Sequence, residues 1–170
     1  YCFWNNTKNK DSIAKFGALY NWYAVNTGKL APKGWRVPTA DDWKILEEYL
    51  IANGYNWDET KTGNKIAKAL AAKSDWITNS ITQGDIGYQY GESLADNNRS
   101  GFNAMPAGFR ASGSIFYSIG SVCGWWSSTE TSDDYAACRL LGNRGQGLGI
   151  DHEYKPYGYS VRLVKDVKSK

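Results

Sequence analysis

Metal-ligating and redox-active side chains are scarce in this chain. Its 170 residues include one histidine, His152, and three cysteines, Cys2, Cys123 and Cys138. A structural zinc site needs four such ligands, usually with two cysteines separated by two residues, and no cysteine pair here has that spacing. The composition therefore excludes a structural zinc site of the usual kind. We expect a domain of this length to bury enough surface to fold without a metal or a disulfide framework.

Long apolar runs and clustered positive charge are also missing. No stretch of about 18 or more apolar residues occurs, so the sequence predicts no membrane span. The net charge is +3 and the basic residues are scattered, whereas nucleic-acid binding needs a basic stripe, so we expect no nucleic-acid partner. The length suits one domain over residues 1–170. Because residue 1 is Tyr, we expect a domain excised from a longer protein, with any export signal or lipid anchor upstream.

Aromatic residues, by contrast, are abundant. The chain has 8 Trp and 12 Tyr in a polar background with a mean hydropathy of −0.55. Trp125 and Trp126 are adjacent, and Ser-Ser-Thr-Glu follows them. Adjacent side chains of a strand point to opposite faces, so both indoles enter a core only where both faces of the strand are covered. Two hypotheses follow: one indole faces solvent or a ligand, or the pair fills cores on either side of a sheet.

Local patterns predict two helices. Thr39 is a good N-cap, and Asp41 and Asp42 follow it at the positive end of a helix dipole, so we expect a helix over residues 40–51. A second helix is expected over residues 64–72, with its apolar side chains inward and its lysines outward.

The remaining segments predict loops and short strands. Residues 5–12 and 75–100 are polar and aperiodic and predict loops, whereas residues 16–25 fit a helix and a strand equally well. Apolar stretches separated by glycines predict six strands: residues 102–105, 116–119, 125–129, 135–141, 148–151 and 159–164. Helices followed by several short strands indicate an α+β domain in which two helices pack on a small, mainly antiparallel, twisted sheet with long loops.

A hairpin is predicted to turn near residues 131–134. Cys123 and Cys138 flank it, so they either close a disulfide or remain buried free thiols. In the second strand of the hairpin, alternation predicts a core face with Cys138 and an exposed face with Tyr135 and Arg139.

Five blocks of sequence resemble one known family. They are Phe-Gly-Ala-Leu-Tyr-Asn-Trp-Tyr-Ala-Val-Asn (16–26), Pro-Lys-Gly-Trp-Arg-Val-Pro-Thr-Ala-Asp-Asp-Trp (32–43), Ser-Gly-Phe-Asn-Ala-Met-Pro-Ala-Gly-Phe-Arg (100–110), Trp-Trp-Ser-Ser-Thr-Glu (125–130) and Tyr-Gly-Tyr-Ser-Val-Arg-Leu-Val (157–164). In this order they resemble the Fibrobacter succinogenes major paralogous domain (FISUMP) family. The resemblance implies a C-type-lectin-like fold and an exported bacterial domain, extracellular or at the cell surface.

The blocks around Trp35 and at the C-terminus also resemble, more distantly, the formylglycine-generating enzymes. Those enzymes hold copper with two nearby cysteines, and the resemblance places neither Cys123 nor Cys138 in that motif. Sugar-binding lectins of this fold hold calcium with a Glu-Pro-Asn or Gln-Pro-Asp triplet and a later Trp-Asn-Asp, none of which occurs here. We therefore expect no cofactor, with calcium at residues 96–98 or 133–134 as the alternative to simple turns.

The candidate binding surface combines aromatic and polar side chains on the second half of the chain. Its members are Trp125, Tyr135, Arg139, Asp151, His152, Tyr154 and Tyr157. An aromatic beside a guanidinium suits stacking on sugar rings or capture of a protein loop. We expect a non-catalytic module that binds a carbohydrate or protein ligand. The alternatives are an enzyme, of the formylglycine-generating kind or an unrecognised hydrolase, and an architectural domain of a surface or pilus-like assembly.

Overall fold

The computed structural model describes residues 1–90 and 94–166. Its helices are α1 (Lys10–Phe16), α2 (Trp22–Asn26), α3 (Ala40–Ala52) and α4 (Ala67–Leu70). Its strands are β1 (Cys2–Phe3), β2 (Ala18–Leu19), β3 (Trp35–Arg36), β4 (Phe109–Arg110), β5 (Phe116–Tyr117), β6 (Val122–Glu130), β7 (Tyr135–Gly142), β8 (Gly149–Tyr154) and β9 (Val164–Lys165). All the strand pairs are antiparallel, so the predicted α+β class with small antiparallel sheets is confirmed. Within these residues no helix has the length and hydropathy of a membrane span.

The longest helix, α3, forms where its capping residues predict it. The Thr39 hydroxyl accepts a hydrogen bond from the Asp42 amide at 3.2 Å, and the Asp42 carboxylate accepts one from the Thr39 amide at 2.7 Å. This reciprocal capping box satisfies two amides that a helix start leaves without partners. The Asp42 carboxylate also pairs with Arg36 through two hydrogen bonds, which ties the start of α3 to β3.

The second predicted helix is largely wrong. Only Ala67–Leu70 is helical, and all four of its residues are buried, including Lys68, which was expected to face outward. The carbonyls of Lys68, Ala69 and Leu70 accept hydrogen bonds from the amides of residues 98, 100 and 104. Because residues 98–104 bind the backbone of residues 68–70, this part of the chain runs through the interior and does not continue as a surface helix.

The N-terminal predictions met a mixed outcome. Residues 16–25 contain both a strand, β2, and a helix, α2, whose start is capped by the Asn21 side chain. The loop predicted over residues 5–12 ends early, because Asn9 caps the start of α1. The long loop over residues 75–100 is confirmed within the described residues, with one 3₁₀ turn at Leu94–Asp96.

The central sheet has the order β6-β7-β8, and three further pairs join β1 to β2, β3 to β9 and β4 to β5. The predicted hairpin is the β6–β7 pair. Residues 102–105 and most of 159–164 form no strand of their own. They run alongside other segments through single bridges, such as Tyr159 to Tyr20 and Ser160 to Trp125.

Both faces of β6 and β7 are covered around the two adjacent indoles, which lie in separate parts of the core. Trp125 lies in a cluster with Trp43 of α3, Leu70 and Leu141. Trp126 lies in a second cluster whose other members are Trp22, Val25, Val37, Ala136, Cys138 and Tyr159. Trp125 is 5% exposed and Trp126 is 0% exposed. The hypothesis that the pair fills cores on either side of a sheet is therefore the one that the structure supports.

The disulfide alternative for the hairpin is wrong in this structure, where all three cysteines are free thiols. Cys123 lies opposite Leu141, and Cys138 lies opposite Trp126. Cys138 and Leu141 are separated by an odd number of positions, so the two thiols point to opposite faces of the sheet. They belong to different core clusters, and no small backbone movement would join them.

Candidate functional site

Three of the predicted site residues come together at one end of the hairpin. Tyr135 of β7 lies directly opposite Tyr154 of β8, and their ring centroids are 5.8 Å apart. The Tyr154 ring meets the Tyr157 ring edge to face, also at 5.8 Å. Tyr135 is 45% exposed and Tyr154 is 37% exposed. We call these three residues the tyrosine edge.

The tyrosine edge rests on a stack of rings that leads into the core. The Tyr157 ring lies 6.4 Å from Phe109, and Phe109 stacks on Tyr159 at 5.4 Å. Tyr159 in turn meets Trp126 edge to face at 5.2 Å. Aromatic pairs at these separations stabilise one another. The stack therefore holds the exposed rings in place and lowers the conformational entropy that a bound ligand would have to remove.

Asp151 and His152 lie on β8, where the sequence predicted a loop from residue 152 onward. β8 is an edge strand of the central sheet, and both residues are exposed. His152 is opposite Ala137 and shares its sheet face with Tyr154, whereas Asp151 is opposite Cys138 and points to the other face. His152 therefore extends the tyrosine edge along β8, and Asp151 does not.

The predicted exposure of Arg139 is wrong, and Trp125 is almost fully buried as well. Each is 5% exposed, and the two lie directly opposite each other on β6 and β7. Helix α3 covers this face, and its Glu47 carboxylate accepts a hydrogen bond from the Arg139 guanidinium at 2.7 Å. The guanidinium is thus engaged in an ion pair inside the protein.

A cavity of about 280 Å³ lies between α3 and the sheet, beside this ion pair. It is lined by Ala40, Asp41, Trp43, Lys44, Glu47, Glu48, Ser127, Ala137, Cys138, Arg139 and Ile150. The Trp43 indole N–H is buried and has no hydrogen-bond partner among the described residues. Ile150 at its margin is 66% exposed.

Sequence reasoning missed a second polar cavity, which we call the Arg162 pocket. Its volume is about 310 Å³, and it is lined by Ala14, Lys15, Phe16, Gly17, Ala18, Tyr20, Asn103, Ala104, Met105, Trp125, Ser160, Val161 and Arg162. Four chain segments far apart in sequence build it. The signal for it in the sequence is an arginine, Arg162, within the otherwise apolar C-terminal segment Val-Arg-Leu-Val.

The Arg162 guanidinium has a defined position at this pocket. It lies 4.5 Å from the centre of the Phe102 ring and donates a hydrogen bond to the Phe102 carbonyl at 2.9 Å. Phe102 meets Trp125 edge to face at 5.3 Å, so the arginine rests on an aromatic stack that is anchored in the core. The pocket's other cation, Lys15, pairs with Asp75 at 2.5 Å.

The pKa shifts of Cys123, Cys138 and Glu153, all in the central sheet, do not produce a reactive group. Burial raises the pKa of the Cys123 thiol and of the Cys138 thiol well above their usual range, so both stay protonated at neutral pH. Burial also raises the pKa of Glu153, against a lowering by the hydrogen bond from the Tyr159 phenol. Protonated buried thiols are poor nucleophiles and poor metal ligands.

In the part of the chain that the structure describes, no three His, Cys, Asp or Glu side chains come close enough to hold a metal ion. At the suggested calcium loop of residues 133–134, the buried Lys155 ammonium donates to the Asp133 carbonyl at 2.6 Å and pairs with Glu130. The ammonium group of Lys155 therefore already binds a carbonyl and a carboxylate oxygen beside this loop, where it would compete with a calcium ion. At residues 96–98 the Asn97 side chain is buried and donates to the Ala72 carbonyl at 3.2 Å.

Comparison with known proteins yields one match. A family model described as the Fibrobacter succinogenes major domain matches residues 1–165. No curated protein matches the chain, and no solved structure matches it. The matched range contains the tyrosine edge, the cavity beneath α3 and the Arg162 pocket.

Proposed function

The chain belongs to the Fibrobacter succinogenes major domain family, and from this premise we propose that it is a non-catalytic ligand-binding module of a bacterial protein. In this proposal the parent protein is secreted or held at the cell surface. In this proposal a C-type-lectin-like scaffold presents the tyrosine edge to a carbohydrate or protein partner.

The tyrosine edge is the observation that supports this proposal. Tyr135 and Tyr154 combine a flat apolar ring with a polar tip, and both are exposed while their neighbours hold them in place. Rigid aromatic side chains supply contact area at a low cost in conformational entropy, and tyrosine is enriched where proteins bind ligands. Sugar rings with apolar faces suit such a surface because they stack on aromatic rings and use their hydroxyl groups for hydrogen bonds.

Neither the two buried cysteines nor the Arg162 pocket supports the enzyme alternatives. A copper-dependent enzyme of the formylglycine-generating kind needs two thiolates close together, whereas Cys123 and Cys138 lie on opposite faces of the sheet. Among the described residues that line the Arg162 pocket there is no Asp, Glu, His or Cys. A hydrolase using that pocket would lack a conventional general base there.

A binding screen tests the proposal. The chain would be applied to an array of bacterial and host glycans and to a panel of surface proteins, beside a variant that carries both Tyr135→Ala and Tyr154→Ala. We expect a ligand whose affinity falls about tenfold or more in the double variant, which corresponds to ~1.4 kcal/mol for the two rings. Tyr49→Ala is the matched control, since Tyr49 is 60% exposed on α3 and takes part in no ring contact in the described structure.

Two outcomes contradict the proposal. The first is an equal affinity of the double variant and the original chain for every ligand found, which would place recognition elsewhere. The second is the absence of binding across both panels, which would favour the architectural alternative.

A further inference from the structure

We propose that the Arg162 pocket is a binding site for an anionic sugar, that is, a saccharide carrying a carboxylate or a sulfate ester with a single negative charge. The site goes beyond the proposed function, because it shares no residue with the tyrosine edge. It also lies at the other edge of the central sheet, since Ser160 runs beside β6 whereas the tyrosine edge is on β7 and β8.

Charge is the first argument. Among the residues that the structure describes, Lys15 and Arg162 are the only charged ones that line the pocket. Lys15 is paired with Asp75, whereas Arg162 forms no ion pair with any residue in the described ranges 1–90 and 94–166. The pocket therefore presents one uncompensated positive charge, which complements an anion with one negative charge.

The geometry of Arg162 is the second argument. The guanidinium carbon of Arg162 lies over the Phe102 ring, and the Phe102 carbonyl accepts a hydrogen bond from one of the five N–H groups. The remaining N–H groups keep the planar fork that binds a carboxylate or sulfate with two hydrogen bonds. Because the aromatic stack already fixes the side chain, little conformational entropy is lost when an anion binds.

Size and polarity are the third argument. A volume of about 310 Å³ lies at the lower end of the range for small-molecule sites and suits a monosaccharide rather than a lone anion. Tyr20, Ser160 and Asn103 line the pocket, and their hydroxyl and amide groups are of the kind that binds sugar hydroxyls. Neither hydroxyl has a side-chain hydrogen bond within the described structure, so both remain available. Phe16 supplies an apolar wall.

Calorimetric titration tests the site with matched probes. The acidic probes are methyl β-glucuronide, methyl α-galacturonide, the methyl glycoside of N-acetylneuraminic acid, and glucose 6-sulfate, and the neutral probes are methyl β-glucoside and methyl α-galactoside. We expect at least one acidic sugar to bind at least tenfold more tightly than the neutral sugars, with backbone amide shifts in NMR spectra at Gly17 and Ser160. Binding by the uronides or the neuraminide identifies a carboxylate as the anionic group that the pocket recognises. Binding by glucose 6-sulfate alone identifies a sulfate ester.

Two arginine variants assign the binding to this pocket. Arg162→Gln should lower the affinity about tenfold or more, and Arg162→Lys, which keeps the charge but not the fork, should lower it less. Arg99→Gln is the control, because Arg99 also lies over an aromatic ring, Tyr55, and donates to a backbone carbonyl at 3.3 Å, but at a different cavity. Circular dichroism of each variant verifies that it is folded.

The possible results separate this site from the tyrosine edge. The variant with Tyr135→Ala and Tyr154→Ala should bind the acidic sugar with unchanged affinity, whatever happens to its other ligands. The inference is overturned if neutral and acidic sugars bind equally, if none of the acidic sugars binds up to its solubility limit, or if Arg162→Gln and Arg99→Gln behave alike.

Discussion

Replacing Trp126 by Ala tests the two-sided core more directly than any other single change. The side chain is fully buried, its ring meets Tyr159, and its indole N–H donates to the Tyr20 carbonyl at 2.7 Å. Truncating a core tryptophan costs about 3–5 kcal/mol through lost burial and the cavity left behind. The Tyr20 carbonyl also accepts the Tyr159 amide at 3.0 Å, so it keeps a partner and adds little to this figure.

Thermal and urea unfolding followed by circular dichroism measure the effect. For a chain of this length, each kcal/mol shifts the melting temperature by about 2–4 °C, so we expect a fall of roughly 6–20 °C. The melting temperature of Trp126→Phe should fall less, because this variant keeps an aromatic ring against Tyr159. It also keeps the variant series measurable if the alanine variant does not fold.

Trp35→Ala is the control, since Trp35 is 44% exposed on β3 and should cost under ~1 kcal/mol. Equal melting temperatures for Trp126→Ala and Trp35→Ala would refute the reasoning. They would mean that the second core cluster contributes little and that Trp126 was available for binding after all.

Three further predictions concern groups inside the sheet. Intact mass should be the same with and without reductant, and Cys123 and Cys138 should resist iodoacetamide until the protein unfolds, because both thiols are buried and burial raises the pKa of each. In urea unfolding, Glu47→Gln should lower the free energy of unfolding by about 3 kcal/mol, because it leaves the buried charge of Arg139 unpaired. Arg139→Met should lower it by less, because the charge it leaves unpaired, on Glu47, is less deeply buried. Burial raises the pKa of Glu153 in the folded state, so the ionised carboxylate opposes folding and the original chain loses stability as pH rises through that pKa. In urea unfolding at pH 4 and pH 8, Glu153→Gln should therefore be more stable than the original chain only at pH 8.

The parts of the fold that were predictable depend on local chemistry. Thr39 and Asp42 cap α3 within four residues of sequence, and the alternation in β6 and β7 is a property of the strands themselves. The helix expected over residues 64–72 failed because residues 98–104 bind its carbonyls. Nothing in the sequence of that helix indicates which distant segment will supply those amides.

For the candidate site, too, local strand patterns were predictable and contacts with distant segments were not. Tyr135 and Tyr154 meet because strand register pairs them, and the sequence already placed both near one surface. Alternation also put Arg139 on the same face as Tyr135 correctly. Alternation does not predict which part of that face another element covers. Helix α3 covers the end with Arg139 and leaves the end with Tyr135 open, so Arg139 is buried and Tyr135 is exposed.

The two buried indoles determine where a ligand can bind. Because Trp125 and Trp126 anchor cores on opposite faces of β6, much of the surface of β6 and β7 is not open to a ligand. The two proposed binding sites lie at the margins of the sheet: the tyrosine edge beside β8 on one side, and the Arg162 pocket beside the segment around Ser160 on the other. Sites on opposite margins of a rigid core with no shared residue should contribute to binding independently. The affinity losses of Arg162→Gln and of the double tyrosine variant should therefore add as free energies for any ligand that spans both, and a coupling beyond about 0.5 kcal/mol would show that the core transmits strain between them.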